Sequence, residues 1–168
     1  MRIVLVGLGC VALLGGTASA QSRDPFQSDF SANYDFVYHE IDGATSNAGA
    51  HVDLATTITR NVPYLVALGE AGFNHFENAT VSSFMGGLRL RFPNFSAEVL
   101  PFVQFLLGLY HCCGVNDFAI QPGGGLDFKV GDDRFRIRGQ VDVRHVFDSF
   151  GDFNAVRVSA GIVVPLNR

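Results

Sequence analysis

One segment of the sequence places polar, mostly charged side chains at every second position. It reads DRFRIRGQVDVRHVF, residues 133–147. Its alternating polar residues are Arg134, Arg136, Arg138, Gln140, Asp142 and Arg144. Because mainly apolar residues stand between them, the alternation predicts a β-strand with two unlike faces. The guanidinium group is planar and weakly hydrated, which suits it to close pairing with carboxylates. The segment therefore predicts a strand whose arginines need acidic partners on other elements.

Other residues capable of chemistry lack the spacing that a reaction requires. Paired carboxylates can act as general acid and base. However, the chain has no G-x-S-x-G motif, and its serine, histidine and aspartate residues lack the spacing of a catalytic triad that would supply a nucleophile. The sequence predicts that the protein is not an enzyme and has no cofactor.

The histidines and cysteines are candidate metal ligands. His39, His51, His75, His111 and His145 lie at or near one end of the predicted strands. Cys112 and Cys113 follow His111 directly, and imidazole and thiolate are good ligands for borderline and soft metals. Neither CxxC nor HxxxH spacing is present, so His111, Cys112 and Cys113 are weak candidates and no metal site is predicted.

Eight segments with period-two polarity must position these side chains. They are residues 30–41, 50–60, 62–73, 80–92, 96–110, 117–130, 133–147 and 153–166. Tight turns are expected at Arg60-Asn61, Pro93-Asn94 and Gly131-Asp132, and longer loops at 42–49, 74–79, 111–116 and 148–152. Short turns at one end and longer loops at the other are typical of bacterial outer-membrane barrels. The pattern predicts an all-β, eight-stranded antiparallel up-and-down transmembrane β-barrel.

The ends and composition of the chain indicate export. Residues 1–20 open with Arg2, continue as an apolar run and close on Ala18-Ser19-Ala20, the layout of a cleaved signal peptide. We expect a flexible arm at 21–29 and the barrel domain at 30–168. The formal net charge of −4 argues against a nucleic-acid partner. Lys129 is the only lysine, whereas strands that face water usually carry several.

The C-terminal third resembles the small eight-stranded outer-membrane β-barrel proteins, of the OmpA transmembrane domain and OmpX type. The resemblance is carried by QPGGGLDFKVGDDRFRIRGQVDVRHVF and by NAVRVSAGIVVPL, and it extends over residues 30–166. It implies a monomeric protein of the bacterial outer membrane with a structural or surface-interaction role. The bilayer would be its main partner, and outer-membrane lipids or surface ligands would be contacted through the four longer loops.

In such a barrel the apolar faces contact lipid and the polar faces fill the lumen. Buried charges are tolerated only when they are paired, so the lumen is predicted to be plugged by salt bridges. The predicted network consists of Asp53, Glu70, Arg89, Arg91, Glu98, Asp127, Arg134, Arg136, Arg138, Asp142, Arg144 and Arg157. Two alternatives remain open: a porin for small solutes, and a soluble lipocalin-like barrel with apolar faces inside.

Overall fold

The computed structural model describes residues 28–39, 48–59, 61–77, 79–93, 98–131, 134–148 and 151–166. These residues form eight strands: β1 (Ser28–His39), β2 (Ala48–Thr57), β3 (Leu65–His75), β4 (Thr80–Arg91), β5 (Val99–Cys112), β6 (Val115–Val130), β7 (Phe135–Phe147) and β8 (Phe153–Pro165). None of the described residues forms a helix long and apolar enough to cross a membrane. The prediction of an all-β chain with eight strands is confirmed.

The strands form a closed barrel. Each strand pairs with its sequence neighbours in antiparallel register, and β1 closes the sheet by pairing with β8 from Asp29↔Pro165 to His39↔Ala155. Closure leaves no sheet edge with unpaired backbone groups. We call the end where β1 begins and β8 ends the terminal end, and the opposite end the loop end.

Alternation along each strand separates a polar interior from an apolar exterior. On β7, Arg136, Arg138 and Arg144 are buried inside the barrel, whereas Ile137 and Val141 are half exposed on the outside. The same pattern repeats around the barrel, with exposed aromatic and aliphatic side chains on every strand. This arrangement is the reverse of a soluble lipocalin-like barrel, which needs its apolar faces inside.

The beginning of the barrel differs from the predicted boundary. Ser28 and Asp29, assigned to a flexible arm at 21–29, belong to β1. Asp29 is fully buried and pairs with Arg91 of β4, and this contact explains why the strand starts before residue 30. The predicted signal peptide at 1–20 and the rest of the arm lie outside the described residues.

The predicted contrast between short turns and longer loops is wrong. At the terminal end, the strand bounds leave residues 58–64 between β2 and β3 and residues 92–98 between β4 and β5. The predicted tight turns at Arg60-Asn61, Pro93-Asn94 and Gly131-Asp132 lie partly outside the described residues. At the loop end, Cys113 and Gly114 alone join β5 to β6. Both have positive φ, 56° and 85°, as a type I′ hairpin turn requires. The longer loop predicted at 111–116 is therefore a two-residue turn, and its other residues belong to β5 and β6.

Candidate functional site

The interior of the barrel collects most of the charged residues predicted for the lumen. All of them except Glu98 and Arg134 are buried, and they come from six strands. The buried members are Asp53, Glu70, Arg89, Arg91, Asp127, Arg136, Arg138, Asp142, Arg144 and Arg157. The alternation along each strand of the closed barrel therefore brings together residues that lie far apart in sequence.

Two residues of the predicted network lie outside it. Arg134 and Glu98 are exposed, and each immediately precedes a strand, β7 and β5 respectively. Both have the polar parity of the strand that follows, but they stand beyond its first paired residue. Alternation determines whether a side chain faces the lumen only for residues within a paired strand. These two side chains therefore remain at the terminal rim.

Arg138 is the centre of one group of contacts, which we call the Arg138 cluster: Asp53, Arg89, Phe102, Asp127 and Arg138. Arg138 donates from Nε to Asp127 Oδ1 at 2.7 Å and from Nη2 to Oδ2 at 3.0 Å, a bidentate pair. Its Nη1 donates to Asp53 Oδ2 at 2.8 Å, and Arg89 Nη2 donates to the same oxygen at 3.3 Å. The Phe102 ring lies 4.5 Å from the Arg89 guanidinium and 4.8 Å from that of Arg138, within cation–π range.

A second group lies nearer the loop end. We call it the Arg157 cluster: Asp35, His51, Glu70, Asp142 and Arg157. Arg157 Nη1 and Nη2 donate to Glu70 Oε1 and Oε2 at 2.7 and 2.8 Å, and Nη2 also donates to Asp142 Oδ2 at 2.8 Å. His51 Nδ1 is 2.7 Å from Asp35 Oδ1, and its Nε2 is 3.8 Å from Glu70 Oε2. Three carboxylates thus share one guanidinium and one imidazole across the lumen.

The Gln104 side chain connects the two clusters. Gln104 accepts from Arg89 Nη2 at 2.8 Å and donates from Nε2 to Asp142 Oδ1 at 3.0 Å. Gln140 donates to the other oxygen, Asp142 Oδ2, at 2.7 Å. Because an amide both donates and accepts, it can join an arginine of one cluster to a carboxylate of the other. The two clusters therefore form one continuous network along the lumen.

Several interior residues were not included in the predicted network. Asp35, His51 and Gln104 stand on the polar faces of β1, β2 and β5, so alternation placed them correctly but did not indicate their partners. Phe102 is buried on the same face of β5 as Gln104, and nothing in its residue type distinguishes it from the lipid-facing phenylalanines. Its neighbouring arginines become visible only in the closed barrel.

A layer of apolar side chains fills the loop end of the lumen. Its members are Val37, Phe76, Val81, Tyr110, Ala119, Val146 and Ala155, all buried. The Tyr110 and Phe153 rings meet edge to face, with their centroids 5.7 Å apart. The Arg144 guanidinium also lies 5.7 Å from the centroid of the Tyr110 ring. Between this layer and Arg157 is a cavity of about 10 Å³, enough for about one water molecule. The apolar layer covers the charge network on the loop side.

The weak metal candidates do not converge. Among the described residues, no group of three or more histidine, cysteine, aspartate or glutamate side chains is placed to hold a metal ion. His111 Nδ1 donates to Asn116 Oδ1 at 2.8 Å. The Sγ atoms of Cys112 and Cys113 lie 2.8 Å apart at the turn between β5 and β6. Two neighbouring thiols and one imidazole, whose Nδ1 is already hydrogen-bonded to Asn116, do not supply the four ligands of a structural zinc site.

Comparison with known proteins gives a fold and no sequence relative. No family model matches the sequence, and no curated protein matches it. Among solved structures, the chain is similar to Neisserial surface protein A, with 12% identity, coverage of 84% of this chain and 97% of that chain, and a TM-score of 0.66. It is similar to Yersinia pestis Ail in complex with the heparin analogue sucrose octasulfate, with 12% identity, 84% and 99% coverage, and a TM-score of 0.57.

A third similar structure is the outer membrane enzyme PagL, with 14% identity, coverage of 82% of this chain and 99% of that chain, and a TM-score of 0.54. The fold of this chain is therefore that of the small eight-stranded outer-membrane β-barrels. At these identities the likeness concerns the fold alone, and one fold carries several activities.

Proposed function

We propose that the chain is an integral protein of the bacterial outer membrane with a structural or surface-interaction role and a lumen closed by arginine–carboxylate pairs. The observation that carries the proposal is the inversion of the barrel: charge inside, apolar side chains outside. In water, so large an exposed apolar surface would be a strong liability. In a bilayer it is required, because a closed barrel satisfies its backbone groups and needs apolar contacts only on its outer face.

The cellular location and partners follow from this proposal. A cleaved signal peptide at 1–20 would deliver the chain to the outer membrane, where it would reside as a monomer. Its surface partners would be outer-membrane lipids or ligands that meet the loop end, at 42–49, 74–79, 111–116 and 148–152. The similar Ail structure contains a heparin analogue, so a barrel of this fold can present a ligand site.

Closure of the lumen is supported by how completely the network spans it. Arg138 reaches both Asp127 on β6 and Asp53 on β2, and Arg157 reaches Glu70 on β3. Opening a path for solutes would separate these pairs, at a cost of several kcal/mol for each uncompensated ion. The apolar layer at the loop end would also have to move. A small-solute porin is therefore the less favoured function.

A non-enzymatic role is supported by the surroundings of the histidines. A hydrolase base normally has a carboxylate on its Nδ1 and a substrate within reach of its Nε2. His51 has such a carboxylate, Asp35, but it is buried inside the barrel. Outside the barrel, the Nδ1 atoms of His75, His111 and His145 contact Thr80, Asn116 and Asn154. No histidine among these combines access with an orienting carboxylate on Nδ1.

Conductance in a planar bilayer tests the closed lumen. Purified protein is first shown to be inserted, by altered gel migration on boiling and by protection from protease in vesicles. We then expect no stable single-channel steps, because the paired charges and the apolar layer occupy the lumen. A large porin in the same bilayer is the positive control, and the purification detergent alone is the negative control. Reproducible steps of porin size from inserted protein would overturn the closed lumen and favour the transport function.

A further inference from the structure

Three hairpins at the loop end each carry a histidine paired with a threonine or an asparagine on their outer face. A histidine near the end of β3, β5 and β7 contacts the hydroxyl or amide oxygen of its direct cross-strand partner on β4, β6 and β8. The pairs are His75 Nδ1–Thr80 Oγ1 at 2.9 Å, His111 Nδ1–Asn116 Oδ1 at 2.8 Å and His145 Nδ1–Asn154 Oδ1 at 2.9 Å. We call His75, His111 and His145 the histidine ring. Neither the charge network nor closure of the lumen uses them.

The hydrogen bonds determine which imidazole nitrogen of each histidine remains for an external partner. In His111 and His145 the Nδ1 atom donates its proton to an amide oxygen, so the neutral imidazole carries a lone pair on Nε2. When the imidazole is protonated, Nε2 becomes a second donor and the side chain a cation. Fixing Nδ1 also holds the imidazole against the barrel wall.

The histidine ring lies close to the loop end of the apolar outer surface. The next outward residues toward the middle of the barrel are Phe73, Leu109 and Val143, which are 52%, 51% and 45% exposed. The connections to the next strand begin one to three residues beyond the histidines. In a bilayer, this boundary is the depth of the lipid headgroups, where side chains with an apolar body and a polar edge are favoured. His145 also meets the lipid-facing Phe147 ring edge to face at 4.5 Å.

Acidic residues lie near the histidine ring, but none is a direct cross-strand neighbour of it. The cross-strand neighbours of the three histidines are all uncharged: Ala48, Thr80, Ser82, Asn116, Ile120 and Asn154. Asp152 Oδ2 is 3.9 Å from His145 Nε2. Glu77 and Asp148 lie in the adjoining connections, Asp117 is buried inside the barrel, and the thiols of Cys112 and Cys113 follow His111.

We infer that the histidine ring binds the phosphate groups of anionic lipid headgroups at the loop end, and that this binding strengthens as the pH falls. The inference rests on the proposed membrane location. Imidazole ordinarily changes its charge between pH 5 and 8. Phosphate contact favours the charged form, so the lipid preference is present at low pH and is lost as the pH rises through that range. At neutral pH the acidic chain, with net charge −4, gains nothing from an anionic surface.

The test compares denaturant midpoints in two kinds of vesicle, phosphatidylcholine alone and phosphatidylcholine with phosphatidylglycerol, at about pH 5 and about pH 8. For the wild type we expect a higher midpoint in the anionic vesicles at the lower pH only. The triple variant His75→Asn, His111→Asn, His145→Asn keeps polar side chains and is expected to lose the difference at both pH values. The triple variant with lysine at the same positions is expected to show it at both.

Each outcome separates this inference from the proposed function. Insertion of every variant is measured first, by gel migration without boiling and by protease protection. Failure of the wild type to insert into either vesicle would overturn the membrane proposal itself. If the wild type inserts but the asparagine variant retains the full pH-dependent preference, the histidine ring is not the binding site. Loss of the preference when inorganic phosphate is added at matched ionic strength would indicate a site for the free anion instead.

Discussion

Replacing Arg138 with alanine is expected to lower the free energy of unfolding by about 3–5 kcal/mol. The Arg138 side chain donates four of the interior hydrogen bonds, to Asp127, Asp53 and Ser31. Without it, two carboxylates remain in the lumen and Arg89 alone faces Asp53. The cost arises mainly from these uncompensated buried charges. Urea unfolding of the inserted barrel in vesicles measures the change.

Arg134→Ala is the matched control for this prediction. It removes the same side chain from the same segment of sequence, but from an exposed position outside β7. Its unfolding midpoint should equal that of the wild type. Equal losses from Arg134→Ala and Arg138→Ala would show that total charge, and not the interior pairing, determines the stability of the barrel.

Replacing Val141 with arginine should cost about 2–4 kcal/mol of stability in a bilayer. Val141 stands at the centre of β7 on the outer face and is 51% exposed. An arginine there lies at the depth of the hydrocarbon core, far from the headgroups on both sides. The folding yield and the unfolding midpoint in lipid vesicles report the loss.

Val164→Arg makes the same change at the terminal rim. Val164 is also on the outer face, near the end of β8. The arginine can reach the headgroups from there, and the expected cost falls to about 0–1 kcal/mol. If both substitutions were tolerated equally, depth in the bilayer would have no effect and the membrane assignment would be contradicted.

Much of the fold could be predicted from alternation because alternation is local. Whether Arg138 or Val141 faces the lumen depends only on parity within one strand, and a one-residue shift would reverse every side chain. The contrast in polarity between the two sets of positions on β7 is strong enough to exclude the reverse assignment. The identity of most network members followed directly.

The pairing within the network could not be predicted in this way. Arg157 and Glu70 are separated by 87 positions in sequence. Their contact depends on strand register and on the tilt of the closed barrel, and no local pattern states either. Asp29 was missed for a related reason, since its short polar segment looks like an arm until Arg91 is placed opposite. Partner choice is a property of the closed barrel.

The apolar layer was missed because its residues weaken the alternation. Val37, Val81 and Val146 occupy inward positions, so the lumen face of β1, β4 and β7 carries an apolar side chain near the loop end. On β3, Val66 and Leu68 are likewise buried, which leaves Glu70 as the only charge that marks its interior face. Where both faces are apolar, period two carries no signal.

The central claim, that the apolar face contacts lipid while the charged face is sealed inside, is tested most directly with two tryptophan reporters on β5. The chain has no tryptophan, so each reporter is unique. Phe105 lies on the outer face and is 49% exposed, whereas Phe102 is buried between Arg89 and Arg138. After insertion is verified, the emission of Phe105→Trp should be strongly quenched by lipids brominated on their acyl chains, and that of Phe102→Trp should not. Equal quenching of the two, or stronger quenching of Phe102→Trp, would contradict the account.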